Sequence, residues 1–170
     1  MPAIVIHPFE RSEWEIFRSL RLQALRDEPG VFAASYDFVA ALSPQDWQDT
    51  IQGPGHQVFG LFDEAVLIGI TAAFTWQEDS SGETALLAMS FILPEYRAQG
   101  LSRLLYQARL DWIRAHSQFK RVVVFHRESN ETSRRAIQRH GFSPVRRIPN
   151  TWPDGTTEDQ ILYELLTASD

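Results

Sequence analysis

Residues 96–102 combine small side chains with an arginine, immediately before an amphipathic helical pattern. Small residues at positions 98, 100 and 102 allow a backbone to approach a ligand closely. The free amides of the first helical turn then point at one spot, with the positive end of the helix dipole behind them. The guanidinium of Arg97 adds donors suited to phosphate. This segment, the anion cradle (residues 97–102), therefore predicts a phosphate site; the alternative is a plain strand-to-helix turn with a surface arginine.

The charge distribution also favours a compact polyanion. Between Arg97 and Arg147 the sequence has 12 Lys or Arg residues and three acidic residues, although the whole chain carries a net charge of −6. That net charge argues against general nucleic-acid binding. No Gly-Lys-Ser/Thr follows the cradle and no Gly-x-Gly-x-x-Gly is present, which excludes the two common nucleotide-phosphate motifs. A chance excess of solvated basic side chains on helix faces is the alternative.

The composition is that of an ordinary soluble protein. With 170 residues, 44% hydrophobic and 22% charged, we expect residues 1–170 to form a single domain. The sequence has no cysteine, which excludes a disulfide framework, a thiolate metal site and a cysteine nucleophile. The histidines show no ligand spacing, so no metal is expected. No targeting segment or membrane-spanning stretch is visible, so we expect a cytoplasmic protein without a membrane partner.

Hydrophobic periodicity predicts the elements that must position the cradle. Antiparallel hairpins come first, and the helix after the cradle leads to Val122–Phe125, a continuous apolar run typical of a buried strand. This β-α-β crossover forces a parallel pair of strands. The predicted elements, strands and helices together, are residues 3–7, 12–27, from 43, 58–62, 66–76, 84–93, from 100, 122–125, 130–140, 142–147 and 160–166. We therefore expect an α/β fold of order β-α-α-β-β-β-α-β-α-β-β with a mostly antiparallel mixed sheet.

The segment Ile92–Ser102 resembles the first signature of the GNAT superfamily of N-acetyltransferases. That signature is Arg/Gln-x-x-Gly-x-Gly/Ala after a strand that ends in Val-x-Pro, and Ser102 stands where Gly or Ala is usual. The second signature, Asn followed eleven residues later by Gly-Phe, is met by Asn130 and Gly141–Phe142. The likeness covers residues 58–142 by motif and the rest by element order, and it implies that the parallel pair is splayed, with its strands diverging.

The resemblance implies acetyl-CoA as co-substrate and assigns it a site. The cradle would bind the CoA pyrophosphate, and the strand that ends at Ile92 would pair with the pantetheine. A bulge near Phe91 and Ile92 would offer an amide to the thioester oxygen. Arg134, Arg135 and Arg139 are candidates for the adenosine phosphates. The residues assigned to CoA binding are Phe91, Ile92, Arg97, Ala98, Gln99, Gly100, Leu101, Ser102, Asn130, Ser133 and Arg135.

The usual proton-transfer residues of the superfamily are absent. Ile137 stands where many members have a tyrosine acid, and Phe125 stands where acetyltransferases of ribosomal-protein N-termini have a glutamate base. Ser90, His126 and Tyr96 are the replacement candidates. Their alternatives are a half-buried strand serine, a core histidine that faces away from Phe125, and a tyrosine packed at the helix start.

The acceptor site is expected at the loop after the first helix and at the late hairpin. Phe32, Tyr36 and Trp152 are the candidate substrate residues, because aromatic side chains beside acids suit a cationic amine; ordinary loop packing is the alternative. The expected partner is a small amine or a peptide N-terminus, and a free edge at the C-terminal strand suggests a homodimer. Two other functions stay open: a non-catalytic CoA or acetyl-CoA sensor, and a site for another phosphate ligand such as a nucleotide.

Overall fold

The computed structural model describes residues 3–167, which form one eight-stranded sheet with helices on both faces. The strands are β1 (Ile4–Pro8), β2 (Gln52–Gly53), β3 (His56–Asp63), β4 (Val66–Thr75), β5 (Thr84–Ile92), β6 (Arg121–Arg127), β7 (Ser143–Ile148) and β8 (Gln160–Leu166). The helices are α1 (Trp14–Asp27), α2 (Tyr36–Ala40), α3 (Pro44–Ile51), α4 (Ser102–Arg114) and α5 (Glu131–Arg139).

The strands are arranged in the order β1-β3-β4-β5-β6-β8-β7, with β2 beside the start of β3. Within residues 3–167, β5 and β6 form the one parallel pair, and the other pairs are antiparallel. The mixed sheet with one parallel pair is therefore confirmed. However, β8 lies between β6 and β7, so the predicted free edge at the C-terminal strand is wrong and the edge strand is β7.

Two layers of helices cover the sheet. On one face, α1, α2 and α3 pack on β3, β4 and the end of β5, with Phe17 and Trp47 almost completely buried. On the other face, α4 and α5 pack over β5, β6 and β8, where Ile113 and Ile137 are buried against Val122 and Val124. Val123, which points to the opposite face of β6, is only 2% exposed, so the strand is buried on both sides and its continuous apolar run is explained.

Local hydrogen bonds set the helix boundaries. The Ser43-Pro44 start of α3 is confirmed, and its Ser43 hydroxyl accepts a bond from the N–H of Asp46 at 3.1 Å. Helix α2 was not predicted; Ser35 caps it in the same way at 3.3 Å, from the N–H of Phe38. The chain enters α1 through a 3-10 turn at residues 11–13, so the regular helix begins at Trp14. None of the helices within residues 3–167 is long and apolar enough to cross a bilayer.

Candidate active site

The two parallel strands separate halfway along their length. Their register runs from Thr84 opposite Arg121 to Leu87 opposite Val124 and stops there. Beyond that point β6 is paired with β8 alone, and β5 is paired with β4 alone, across the described part of the chain. The edge of β5 that faces the gap is therefore unpaired over residues 88–92, and an extended ligand chain can add to it as a further strand would.

A bulge in β5 lies inside this gap. Ala88 is opposite Ala72 and Phe91 is opposite Ile70, so Thr71 is opposite the two residues Met89 and Ser90. Met89 has a positive φ of 62°, which reorients the local peptide groups. The bulge was expected near Phe91 and Ile92, and the structure places it just before them. The hydroxyls of Thr71 and Ser90 are 2.8 Å apart, and Thr71, which is fully buried, was missed in the sequence.

The anion cradle connects the end of β5 to α4. Ala98 and Gly100 have left-handed φ values of 60° and 75°, which turn the chain sharply into the helix. Leu101, the N-cap of α4, makes no side-chain capping bond. Within residues 3–167, no oxygen accepts a hydrogen bond from the N–H groups of residues 100–102. These donors, at the positive end of the helix dipole, form the arrangement that binds phosphate.

Arg97 lies at the edge of the cradle with its guanidinium already engaged. Its Nε donates to the carbonyl of Ile92 at 2.8 Å, and its Nη1 lies 2.9 Å from a carboxylate oxygen of Glu28. Its Cζ is 5.3 Å from the ring centroid of the buried Phe91. Arg97 therefore links the end of β5 to the end of α1. The positive charge that it places beside the cradle is partly neutralised by Glu28.

Tyr96 lies away from the gap between the strands. Its hydroxyl donates to a carboxylate oxygen of Asp63, in the β3–β4 hairpin, at 2.8 Å. That hydrogen bond, with some desolvation, raises the pKa of Tyr96. The ring packs with Leu61, Ile68 and Leu105 under α4. The structure thus gives Tyr96 a packing role and does not bring it to the other candidate residues.

A cavity of about 110 Å³ lies where the strands separate. It passes from the α1–α2 loop, through the sheet, to the space between α4 and α5. The cavity brings together Phe32, Ser90, His126, Asn130 and Ser133 with Phe125 and Ile137. The other lining residues are Val31, Leu87, Ala88, Met89, Tyr106, Arg109 and Val124.

Tyr106 and Arg109 were missed by the sequence analysis. Arg109 lies three residues after Tyr106 and four before the buried Ile113, so it belongs to the apolar face of α4. An arginine at such a position was the one available signal. Asn130, on the opposite side of the cavity, accepts a bond from the N–H of Ser133 at 3.2 Å and so caps α5.

His126 is a core histidine whose two nitrogens are both engaged. Nδ1 lies 2.6 Å from the carbonyl of Arg127, so it carries the proton, and Nε2 lies 3.2 Å from the hydroxyl of Tyr163. Only 4% of His126 is exposed. Because neither nitrogen is free to take a proton from a substrate, the geometry favours the core-histidine alternative over a general base.

Arg127 ties together the loops expected to receive the acceptor. It donates to the carbonyl of Gly30 at 2.9 Å, to Asp154 at 2.7 Å and to Glu158 at 2.6 Å. Its Cζ is 5.4 Å from the ring centroid of Trp152. The bond from Arg127 lowers the pKa of Asp154 to about 2. Arg127 was not singled out in the sequence, because its partners lie about 30 and 97 residues away along the chain.

The three candidate substrate residues do not share one surface. Phe32 is buried and lines the cavity, with the guanidinium carbon of Arg21 5.1 Å from its ring centroid. Trp152 is 4% exposed and donates through Nε1 to the carbonyl of Glu158 at 2.9 Å, so it supports the loop from below. Tyr36 is exposed on α2 and outside the cavity lining.

A larger hollow of about 560 Å³ lies between α5 and β7, outside the gap between the strands. Four of its charged side chains are paired with one another, Arg134 with Glu131 and Arg147 with Glu128, and Arg146 lies 3.8 Å from Glu78. Arg135 and Arg139 are exposed on α5. His126 borders both spaces, and the smaller cavity brings it together with Phe32, Ser90, Asn130 and Ser133. The residues 3–167 contain no group of three or more His, Asp or Glu side chains able to hold a metal.

Several solved structures share this fold. The protein yncA from Salmonella typhimurium, determined with its cofactor acetyl-CoA, is 16% identical, with a TM-score of 0.82 over 99% of this chain and 96% of that chain. NAA60 from Arabidopsis thaliana, in complex with a bisubstrate analogue, is 16% identical with a TM-score of 0.74, covering 96% of this chain and 98% of that one. The ribosomal-protein-S18-alanine N-acetyltransferase from Escherichia coli is 19% identical with a TM-score of 0.68, covering 99% and 96%.

The sequence comparisons agree with the geometry. No curated protein sequence matches the chain significantly. The sequence profile of the Acetyltransferase (GNAT) family matches residues 8–142, which include the strands that separate, the cradle and both signatures. That match and the ligand-bound structures support acetyl-CoA as the co-substrate. The chain therefore belongs to the GNAT family of acetyltransferases.

Proposed function

We propose that this protein transfers an acetyl group from acetyl-CoA to a primary amine by direct attack in a ternary complex. The observation that carries the proposal is the order of three features along the chain. The bulge at Met89–Ser90 lies within the unpaired edge of β5, and the free amides of residues 100–102 follow that edge. An elongated ligand with a phosphate at one end and a thioester at the other matches that order.

The residues of the cradle and of β5 have distinct tasks in this proposal. The cradle amides and Arg97 hold the pyrophosphate, and the edge of β5 at Phe91 and Ile92 pairs with the pantetheine. An amide freed by the bulge donates to the thioester oxygen and stabilises the negative charge that develops there. Asn130 and Ser133 line the opposite side of the same gap. Arg135, exposed on α5, is the cation proposed for the adenosine phosphates.

The surroundings of the cavity favour an acceptor amine of low pKa. The lining of the cavity includes no carboxylate, and both nitrogens of His126 are engaged. Deprotonating a lysine-like amine at neutral pH costs about 4.6 kcal/mol, whereas an α-amine costs about 1 kcal/mol. We therefore propose a peptide N-terminus or an amino-acid derivative as acceptor, ahead of a lysine side chain. The structural likeness to the ribosomal-protein-S18-alanine N-acetyltransferase supports the same class.

The alternative is a protein that binds acetyl-CoA without turning it over. It is favoured by one observation: Ile137 and Phe125, which line the cavity, offer no proton-transfer group. An assay of acetyl transfer to a panel of α-amines, in which release of the CoA thiol is measured, distinguishes the enzyme from the sensor. Tight binding without turnover across that panel would select the sensor.

The phosphate site is tested by thermal unfolding with acetyl-CoA, CoA and ATP as ligands. A ligand at 100 times its dissociation constant adds about 2.7 kcal/mol to the free energy of unfolding. We expect acetyl-CoA and CoA to stabilise the wild type, and Gly100→Glu to abolish that stabilisation by placing a bulky charge among the cradle amides. Stabilisation by ATP alone would instead indicate a nucleotide site.

Gly82→Glu is the matched control for this experiment. Gly82 and Gly100 have φ values of 74° and 75°, and a Cβ at either position meets no atom within 4 Å. Both variants therefore carry the same backbone cost, about 1–2 kcal/mol, while only position 100 is in the cradle. Equal ligand responses in the two variants would show that the cradle does not bind CoA.

The proposal includes the cytoplasm as location and a homodimer as assembly. The homodimer now rests on β7, because it is the edge strand and its residues 143–147 are all exposed. Val145, half exposed at 50%, is the apolar residue of that strand's outer surface. If light scattering finds only monomers at high protein concentration, the proposed homodimer is wrong.

A further inference from the structure

The cavity between the separated strands is bordered on the α4 side by a buried guanidinium. Arg109 is 2% exposed, and its Nε donates to the carbonyl of Leu105 at 3.1 Å. Its Cζ lies 4.6 Å from the ring centroid of Tyr106, which also lines the cavity. The ion pairs within residues 3–167 do not include Arg109. A buried cation thus faces the cavity without a carboxylate.

Burying such a cation without a counter-charge costs free energy. Burial lowers the pKa of Arg109 to about 10, with the neighbouring Tyr106 hydroxyl acting in the opposite direction. A charge removed from water needs a counter-charge to offset its lost hydration. The described residues supply none, and a negatively charged ligand atom beside Arg109 would offset that cost. The acetyl transfer proposed above, on which this inference rests, creates a negative charge on the CoA sulfur as the carbon–sulfur bond breaks.

We propose that Arg109, with the Tyr106 hydroxyl, stabilises the CoA thiolate that departs during acetyl transfer. The amine nitrogen attacks the carbonyl carbon, the new C–N bond forms, and the C–S bond breaks with its electron pair left on sulfur. The proton of the amine goes to solvent, and the thiolate takes a proton from solvent when CoA is released. No proton donor is then needed at Ile137, which lines the same cavity.

The position of the pair supports this assignment. Tyr106 and Arg109 border the same cavity as Leu87 and Val124, the last paired residues of β5 and β6. The Tyr106 ring is held in place by His140, stacked at a centroid distance of 4.0 Å. His126, on the other side of the cavity, has both nitrogens bonded. Arg109 is therefore the charged group of the cavity lining, and its charge is opposite to that of a thiolate.

The test is the acidity of the CoA thiol while it is bound. The thiolate absorbs ultraviolet light, so its ionisation is titrated as a difference between the complex with CoA and the complex with desulfo-CoA. An adjacent cation lowers a thiol pKa by about one unit or more. We expect at least a tenfold larger acid constant for bound than for free CoA. In Arg109→Met this constant should return most of the way to the free value, and in Arg109→Lys it should stay closer to that of the wild type.

Two further variants test whether the effect on the thiol is specific to the Tyr106–Arg109 pair. Tyr106→Phe should reduce the effect on the thiol without removing it. Arg114→Met, which changes an exposed arginine of the same helix, should leave the titration unchanged. Turnover should fall about 100-fold or more in Arg109→Met, with the KM for acetyl-CoA little changed.

The wild-type titration can overturn the inference by itself, so an Arg109 variant that fails to fold does not remove the test. If CoA stabilises the protein but its bound thiol ionises like the free thiol, the leaving-group role is wrong and the proposed acetyl transfer stands. If CoA does not stabilise the wild type at all, both proposals fall.

Discussion

Arg21 on α1 is a second guanidinium buried without a counter-charge. Its Nε and Nη1 are inaccessible to solvent and have no hydrogen-bond partner. Only 5% of the residue is exposed, and burial lowers its pKa to about 10. Unlike Arg109, it is outside the cavity lining and packs over the ring of Phe32 instead. Its contribution to folding is therefore dominated by lost hydration.

Arg21→Met should stabilise the protein. The unbranched apolar side chain keeps most of the contact with Phe32 and removes the unpaired charge, which is worth about 1–3 kcal/mol in favourable cases. Urea unfolding at neutral pH measures the change. Arg26→Met, at an exposed arginine of the same helix paired with Asp27, should change the stability by less than about 0.5 kcal/mol. A loss of stability in Arg21→Met would mean that the guanidinium has a partner in solution.

At the scale of elements, the Arg127 network joins the loop after α1 to the β7–β8 connection. A Cβ at Gly30 would lie 2.7 Å from a carboxylate oxygen of Asp154 and 2.8 Å from Nη1 of Arg127, so a larger residue there would have to displace the ends of these two side chains. The hydrogen bond from Ser129 and the bond from Arg127 lower the pKa of Glu158. The two loops are thus held together by carboxylates that must stay ionised.

Acid should loosen this connection. The pKa of Asp154 is about 2 in the folded protein and near 3.8 when unperturbed. Its stabilisation is therefore complete above pH 3.8 and is lost as the pH falls towards 2. Asp154→Asn should lose less stability than the wild type over that interval in urea unfolding at stepped pH. Asp111→Asn, at an exposed carboxyl of α4, should follow the wild type; if Asp154→Asn follows it too, the ion pair contributes nothing.

How well the sequence predicts a feature depends on how far apart along the chain the residues that determine it lie. The strand-to-helix turn of the cradle and the start of α3 at Ser43 depend on residues within one helical turn, so the sequence indicates them. The roles of Arg109 and Arg127 depend on contacts that form only in the folded protein. For Arg109 these are at the gap between β5 and β6, and for Arg127 at the contact between the loop after α1 and the β7–β8 connection. The exact position of the bulge depends on the register of β5 against Thr71, so the sequence indicates it only as lying near Phe91 and Ile92. Helix α2 is missed because the sequence around its cap, Ser35, favours a loop.

At the scale of the whole molecule, the sheet consists of two halves that meet along a short seam. Strands β1 to β5 form one half and β6 to β8 the other. Their direct backbone pairing is confined to residues 84–87 with 121–124. A ligand that adds to the free edge of β5 would extend that seam over the next residues.

Binding of acetyl-CoA should therefore slow amide exchange in residues 88–92. Hydrogen–deuterium exchange with mass spectrometry measures it, and at least a tenfold decrease is expected because the edge amides become bonded. Residues 59–62 of β3, paired on both sides, should be unaffected. Unchanged exchange in residues 88–92, together with a thermal shift by acetyl-CoA, would mean that the cofactor binds without pairing to β5.

The insertion of β8 between β6 and β7 bears on the synthesis of the protein. β6 is paired with β8 along its whole length, and β7 is attached to the sheet through β8. While the ribosome has not yet released residues 160–166, β7 has no strand to join and β6 exposes one unpaired edge. The strand pairing within the first half of the sheet involves only residues up to 92, and one face of that half is covered by α4. We therefore expect the nascent chain to fold in two stages, with the site between the halves completed only when the last strand emerges.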